Sequence, residues 1–541
     1  VHQSGLLQVD GVLNLPVMMP QGALPGRGGV NLTLTPSIAV LPAGVTQFFE
    51  QYPFSCLEQQ VSKAIGLKNQ NLWKGVADRL PSYQDSNGLL SYFPPGNGSS
   101  QGDAVLTAYV LNMALLGDRL YGFKLSAETI QSLKRGLTAY VEGRVAHNAW
   151  SPREDSLQRK LQALEALTRA GDKPVLAASA LEVNVLKQPT SALIDWYLVL
   201  QRLPAIQQQA AQLQAVQNEL RNRLTYAGGR LLFSTEDSDY WWWMMGNADV
   251  NAFRLLEAVL NDSAWKPDLA QLLKGALDRQ TKGRWMTTTA NAWASVAIER
   301  YRQQEEKLPV TGTTRVQLGK MNNNVDKAFT WPEAPAKAST EARPEAAPMQ
   351  ALLPWPTQPK SEVKVQHQGT GKPWLDYQIM AAIPSIKAVF QGYQLKKTVT
   401  PITQRENGKT SRGDVWRVVL DIDAGVPMTW VALTDAIPAG AKILGDGDGR
   451  DSQILQTLGQ VNDQLKSQEN QAQQASPTFI ERGFDSYRAY FEYLPKGKYK
   501  ISYTVRMNNP GQFNMPASRV EAMYAPGTFA ELPNRPVVVQ T

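Results

Sequence analysis

The sequence holds one cysteine in 541 residues, Cys56, and only three histidines. A single thiol excludes internal disulfides and any cysteine-based metal centre, and it says nothing of redox compartment. His2, His147 and His367 lie far apart and form no ligand pair at metal-binding spacing, so neither a metal nor another cofactor is expected. No apolar run reaches the roughly 20 residues that a membrane-crossing helix needs. An excess of one charge is also missing. The 55 basic residues against 48 acidic ones leave a net +7, and they are scattered rather than gathered into arms or stripes. That pattern predicts no nucleic-acid partner. The chain starts at Val1 without Met or a signal-peptide pattern, which suggests a processed chain or a piece of something larger.

What is present is enough apolar residue for several cores, because a chain of this length exceeds one ordinary domain. Residues 1–44 are predicted as β, from short β-branched runs such as "GGVNLTLTPSIAVLP" bounded by Gly and Pro. Residues 45–302 change to helical spacing, with apolar stripes in "DAVLTAYVLNMALLG", "DSLQRKLQALEALTRAG", "TSALIDWYLVLQRL", "NADVNAFRLLEAVL" and "TTTANAWASVAIERY". Each stripe opens on Thr, Ser, Asn or Asp, residues that cap a first turn. The alternation of helices and turns is a loose repeat that predicts an α/α toroid. Residues 303–332 return to β, which suggests that the helices are inserted into a small β-sandwich. Residues 333–360 are rich in Pro and Ala and are expected to form a linker. Residues 361–541 alternate as an antiparallel β-sandwich, interrupted at 452–477 by a Gln-rich polar insertion.

The lone cysteine sits in "FFEQYPFSCLEQQVSKAIGL", followed by Leu57, Glu58 and Gln59. A glutamine three residues on reaches the sulfur if the backbone makes one turn. The thiolate can then attack the carboxamide carbon and expel ammonia, leaving an internal thioester. In that state the protein supplies the electrophile, and an incoming amine is acylated by Gln59 while Cys56 is freed. Such a bond lasts only where water is excluded. Phe48, Phe49, Tyr52 and Phe54 lie just upstream and could shield it. The apolar run after Gln59 predicts a helix start, where backbone N–H groups stabilise negative charge on the carbonyl. The residues alone leave a second reading open, an ordinary buried thiol beside a helix start.

"YPFSCLEQ" ahead of a helical block resembles the thioester-containing domain of the α2-macroglobulin and complement C3 superfamily. "GKPWLDYQIMAAIP", "GDVWRVVLDIDAGVPMTWVALTDAIPAGAKILG" and "YRAYFEYLPKGKYKISYTVRMNNPGQFNMPASRVEAMYAP" resemble the C-terminal part of bacterial α2-macroglobulins. The resemblance implies a toroid inserted in a CUB-like β-domain, then a macroglobulin or receptor-binding-like β-sandwich. It also implies a protease trap rather than a turnover enzyme, with no catalytic residues. A protease cuts a bait region, the thioester between Cys56 and Gln59 is uncovered, and a surface lysine amine of the attacker is acylated. Leu57 and Glu58 complete the motif. Tyr52, Phe54 and Tyr524 are the implied shield, Tyr524 having as its alternative a packing role at the sandwich edge. His147 is the implied candidate for passing the acyl group on to hydroxyls, with a solvated loop histidine as the alternative. No bait region is identifiable. The implied setting is the periplasm, with a lipoprotein anchor on a missing N-terminal part and a penicillin-binding protein as partner. The competing class is a scaffold or non-covalent trap without a formed thioester.

Two other constellations point elsewhere. "EDSDYWWWMMGNADVNAF" sets Asp237, Asp239 and Asp249 beside three tryptophans, and with Glu154 or Asp155 these could serve a carbohydrate site, since paired carboxylates cleave glycosides. The alternative is that the tryptophans fill the helical core and the acids cap helices. Asp446, Asp448 and Asp451 in "GDGDGRDS" resemble part of a calcium loop but lack its closing glutamate, and a Gly-rich turn is expected instead.

Overall fold

A computed structural model describes residues 1–38, 42–96, 101–318, 325–332, 349–355, 361–384, 386–445, 473–474 and 476–541. They form two compact units, Val1–Pro384 and Ser385–Thr541. The Asp446, Asp448 and Asp451 turn lies outside the described residues, as do 452–472 of the expected insertion and 333–348 and 356–360 of the expected linker.

Strands of the first unit are β1 (Gln3–Gln8), β2 (Val12–Val17), β3 (Gly28–Thr35), the hairpin β4 (Leu224–Ala227) and β5 (Arg230–Phe233), then β6 (Gly312–Leu318), β7 (Val325–Trp331), β8 (Met349–Leu353), β9 (Ser361–Gln368) and β10 (Trp374–Ala381). Two four-stranded sheets, ordered β1-β10-β3-β8 and β2-β9-β6-β7, share one core. Leu32, Leu34, Leu375 and Ile379 of the first sheet meet Leu15, Val316, Val363 and Val365 of the second in that core. The helices are inserted between β3 and β6.

This arrangement corrects two expected boundaries. β8 falls in the stretch expected to be linker, and β9 and β10 fall in the stretch expected to open the second sandwich. All three belong to the first sandwich. β10 lies between β1 and β3, with Leu375 opposite Leu34 and Leu7, and β9 lies between β2 and β6. The boundary therefore falls after Pro384 rather than at 361. Alternation identifies a strand but carries no information about its partner, so β9 and β10 could not be assigned to either sandwich from pattern alone.

Helices of the first unit are α1 (Ala43–Gln51), α2 (Leu57–Gly66), α3 (Gln70–Arg79), α4 (Ala104–Tyr121), α5 (Ala127–Val141), α6 (Ser156–Arg169), α7 (Val175–Ser179), α8 (Thr190–Arg202), α9 (Gln209–Asn222), α10 (Ala248–Val259), α11 (Leu269–Leu277) and α12 (Thr288–Glu305). The packing closes on itself: α2 meets α4, α4 meets α6, and the even-numbered helices continue in order until α12 returns to α2. α12 is buried without a break from Thr288 to Glu299, as a helix walled on all sides must be. Three of the five sequence-predicted caps form as side-chain bonds, from Asp103, Asn247 and Thr287. The other two do not. Asp155 turns instead to Arg159, and the first turn of α8 borrows its acceptor from Asp239, 49 residues on, which takes the Thr190 N–H at 2.8 Å.

Ion pairs cross the middle of this ring. Glu165 of α6 bonds Asn112 of α4 at 2.6 Å, Arg169 at 2.8 Å and Arg202 of α8 at 2.9 Å. Glu257 of α10 takes Arg169 at 3.0 Å and Arg300 of α12. Asp195 of α8 takes Arg254 of α10 at 2.7 Å. Burial pushes the Glu165 carboxyl up, but Arg169, Arg202 and Arg254 outweigh it and hold it well below the usual carboxylate range. Truncating one member would strand its partner in a dry interior, a loss of several kcal/mol.

The second unit contains β11 (Val389–Gln391), β12 (Tyr393–Thr403), β13 (Thr410–Ser411), β14 (Val415–Ala424), β15 (Met428–Ala436), β16 (Lys442–Leu444), β17 (Gln473–Gln474), β18 (Phe479–Arg482), β19 (Ser486–Leu494), β20 (Gly497–Arg506), β21 (Gly511–Phe513), β22 (Ser518–Ala522), β23 (Ala525–Leu532) and β24 (Val537–Gln540). A six-stranded sheet, β11-β23-β22-β15-β19-β18, faces a sheet ordered β12-β14-β20-β16, with β17 added on β20. Val418, Leu420 and Ile501 on one sheet pack against Val431, Leu433 and Ala489 on the other.

In the first unit, two carboxylates pin the sandwich to the helices. Glu306 takes Ser37 Oγ at 2.7 Å and the Trp374 indole N–H at 2.7 Å. Asp376 of β10 accepts the Ala43 N–H at 2.8 Å, satisfying the first turn of α1. Burial raises the Asp376 carboxyl to about 6, against the pull of that N–H. A carboxyl raised on folding contributes stability that is full below its unfolded value, about 3.9, and lost as pH rises through the folded one. Asp376→Asn keeps an acceptor for Ala43 but removes the titration. Between pH 4 and pH 7 the parent should lose about 3 kcal/mol more stability than this variant, within a factor of two, as read by denaturant unfolding of both chains.

Candidate functional site

Residues 48–56 lead into the ring through a string of aromatic contacts. Phe48 and Phe49 rings lie 5.3 Å apart, Phe48 and Tyr52 5.0 Å, and Tyr52 and Phe54 meet edge-on at 5.4 Å. Phe49 is fully buried and packs on the end of α2 at Gly66, where an added Cβ would stand 2.2 Å from its ring. Phe54 is buried and Tyr52 half-buried. The extended backbone then turns into α2 at Cys56, whose φ of −62° and ψ of 163° make it the residue that caps the helix.

Cys56 and Gln59 form a capping box. The Cys56 side chain meets the Gln59 backbone N–H, and the Gln59 side chain folds back so that its Oε1 accepts the Cys56 N–H at 3.2 Å. Sulfur and carboxamide therefore occupy one turn of backbone, as the sequence spacing required. Cys56 and Leu57 are fully buried and Gln59 is 2% exposed. Leu57 donates its N–H to Tyr92 O at 2.8 Å, and Gln60 accepts from Arg79 and donates to Ser55 O, which ties the approaching strand to the helix. The arrangement suits attack by Sγ on the Gln59 carboxamide carbon. Negative charge would then develop on Oε1, the atom already held by the Cys56 N–H at the positive end of α2.

Glu58 points the other way and is fully buried. Its Oε1 accepts the Thr288 hydroxyl of α12 at 2.6 Å and the Ser62 hydroxyl at 3.3 Å. Ser62 in turn bonds the Tyr109 hydroxyl of α4 at 2.6 Å. Burial, then the adjacent Glu58 charge, lifts the Tyr109 phenol well above its ordinary value, so it stays protonated. One motif residue thus fixes the head of α2 between both its neighbours in the ring. Ser62 was findable as the i+4 neighbour of Glu58. Thr288, 230 residues away, left no local signal.

The remaining predicted residues lie elsewhere. Tyr524 is buried in the turn between β22 and β23 of the second unit. His147 is half-buried between α5 and α6; burial lowers its pKa, and the charges that act on it are Asp103, Arg159 and Asp155. The acids of the carbohydrate reading are engaged in structure. Asp239 caps α8, Asp249 holds Arg279 at 2.7 Å and the Met286 N–H at 2.8 Å, and Asp155 holds Arg159, Ser151 and the Trp243 indole. Glu154 caps Ser156 at the surface, and Asp237 is exposed. Trp241 and Trp243 stack on each other at 4.8 Å beneath Arg153. Among the described residues no group of three or more His, Cys, Asp or Glu is arranged to hold a metal ion.

The fold, a helical region together with β-sandwiches, is like that of solved alpha-2-macroglobulins. Bacterial members are the ones this chain resembles. Residues 392–527 match the bacterial alpha-2-macroglobulin MG10 domain. An alpha-2-macroglobulin homolog from Nostoc sp. is 22% identical over 574 residues, an alignment covering 98% of this chain and 28% of the relative. The chain thus spans little more than a quarter of that relative's length. Native Escherichia coli alpha-2-macroglobulin from domain MG7 to the C-terminus superposes with a TM-score of 0.67 at 16% identity, covering all of this chain and 82% of that one. Salmonella alpha-2-macroglobulin reacted with methylamine gives 0.64 at 15% identity, covering all of this chain and 34% of the other.

The Glu58 contact predicts a measurable dependence. Thr288→Val deletes the hydroxyl but keeps the shape, and should destabilise the first unit by about 1–3 kcal/mol, the cost of leaving a buried acceptor short of a partner. Chemical denaturation followed by far-ultraviolet circular dichroism reads the change.

Proposed function

We propose that this chain is the thioester-bearing and C-terminal part of a protease inhibitor of the alpha-2-macroglobulin type. The observation that carries the reading is the Cys56–Gln59 capping box, buried at the head of α2. In this reading the closed ring of helices is an α/α toroid, the first sandwich is CUB-like, and the second unit is macroglobulin-like.

The proposed chemistry balances as follows. Sγ of Cys56 bonds to the Gln59 carboxamide carbon, the carbon–nitrogen bond breaks, and the nitrogen leaves as ammonia with the thiol proton. The buried setting keeps water from the product. Once a protease cuts a bait region elsewhere in the whole protein, a lysine amine of that protease attacks the carbonyl, forms an amide with Gln59 and releases the Cys56 thiol. Each chain reacts once, so the protein is an inhibitor and not a turnover enzyme. Amines are the favoured targets in this reading. That a Salmonella relative has been reacted with methylamine supports the same chemistry. The engaged acids and stacked tryptophans speak against a glycoside-cleaving site. Residence in the periplasm, a lipoprotein anchor and a penicillin-binding partner belong to this reading by family resemblance.

Intact-mass measurement tests it. The freshly purified chain should be lighter than its sequence by about 17 Da, one ammonia. Methylamine should then add its own mass and release one titratable thiol, and Cys56→Ser should abolish both changes. Full mass with a titratable thiol from the outset, in a chain purified without nucleophiles, would replace the covalent trap with the scaffold reading. The shielding role of Tyr524 is tested separately. Tyr524→Gly is expected to take up methylamine several-fold faster than the parent, and an unchanged rate removes Tyr524 from the shield.

A further inference from the structure

The first turn of α2 carries the Cys56–Gln59 pair, and the next turn on the same side of the helix carries Lys63. Gln59 and Lys63 are four residues apart, so their Cβ atoms lie about 5–6 Å from one another on one face. Helical side chains lean toward the N-terminus, which lays the Lys63 stem over the turn that holds Gln59. An acyl residue placed N-terminal to a lysine at this spacing is also the order in which the two side chains meet best. The other polar residues of α2 are engaged elsewhere. Glu58 and Ser62 bond Thr288 of α12 and Tyr109 of α4, and Gln60 bonds Arg79, Ser55 and Tyr83.

Lys63 also differs from the lysines near it. Lys68 pairs with Glu299 at 3.5 Å and Lys74 with Asp78 at 2.7 Å. Lys63 is half-buried, and among the described residues no carboxylate forms an ion pair with it. No ionic contact tethers its nitrogen, which the flexible four-carbon stem can carry along the face that Gln59 occupies. What separates amine and carbonyl is the fold-back of Gln59, whose Oε1 takes the Cys56 N–H at 3.2 Å. The two groups meet when that bond opens.

We propose that the thioester between Cys56 and Gln59, once formed, is discharged onto Lys63 when no outside amine arrives. Nζ of Lys63, in its neutral form, bonds to the Gln59 carbonyl carbon. The carbon–sulfur bond breaks, and an amine proton passes to the Cys56 sulfur. The product is an amide that joins neighbouring turns of one helix face, with a free thiol beside it. An amine on the adjacent turn acts at an effective concentration beyond that of any solute, so this bridge limits how long an unused chain stays reactive. The proposal rests on the thioester reading and names the chain's own competitor for that bond.

Incubation of the freshly purified whole chain without added amine tests the bridge, with intact mass, thiol titration and a methylamine challenge at intervals. Thioester and bridge share a mass about 17 Da below the sequence, one ammonia, but only the bridged form has a titratable thiol and ignores methylamine. That form should accumulate. Tryptic cleavage after Lys63 should be lost in it, and tandem mass spectrometry should join Gln59 to Lys63. Lys63→Arg keeps the cation but supplies no amine nucleophile. It should start at the same lowered mass, form no bridge and stay methylamine-reactive roughly three-fold longer or more. Cys56→Ser should hold full mass, since the unactivated carboxamide does not acylate lysine. A parent chain that starts at the lowered mass and then only gains about 18 Da, one water, with no Gln59–Lys63 peptide, overturns this proposal and leaves the thioester reading standing. Full mass from the outset overturns both.

Discussion

Carboxylates buried between helices hold the ring of the first unit together. Glu165 joins α4, α6 and α8, Glu257 joins α6, α10 and α12, and Asp195 joins α8 to α10. Glu58 supplies the remaining links, from α2 to α12 directly and to α4 through Ser62. Each carboxylate sits where its helix must be told which neighbour to face, and apolar packing alone would leave that choice poorly specified. Ionic bonds of this kind add little net stability, but a helix that slips leaves charge unpaired. The ring is therefore held in one register.

The Cys56–Gln59 pair inherits that rigidity. Cys56 and Gln59 flank Glu58 on the first turn of α2, so the contact that orients the helix lies within the same short motif. A site built on a packed helix keeps its geometry better than one on a loop. The aromatic string from Phe48 to Phe54 and the bond from Leu57 to Tyr92 close the approach from the other side. The structure thus holds the Cys56 and Gln59 side chains on one buried turn, with the Cys56 N–H on Gln59 Oε1.

How much of this was legible depended on distance along the chain. The Cys56–Gln59 spacing is local, and one helical turn turns it into proximity. Asp103, Asn247 and Thr287 are caps readable from the residues beside them. Asp239 is not, since it serves α8 from 49 residues away, and neither is Thr288. The same limit explains β8, β9 and β10. Their hydrophobic pattern says strand, while membership of a sheet depends on partners such as β3 and β2, more than 300 residues earlier. The Pro- and Ala-rich composition that suggested a boundary marks a connection within one sandwich.

That β10 lies between β1 and β3 bears on how the polypeptide emerges from the ribosome. β3 is complete at Thr35 and β10 begins at Trp374, so at about 5–20 residues per second the early strands wait on the order of tens of seconds for their neighbour. The helices, finished by Glu305, can assemble during that interval. Until β8, β9 and β10 follow, β1, β2 and β3 lack the neighbours that complete their sheets, so these strands need protection from wrong pairing during synthesis.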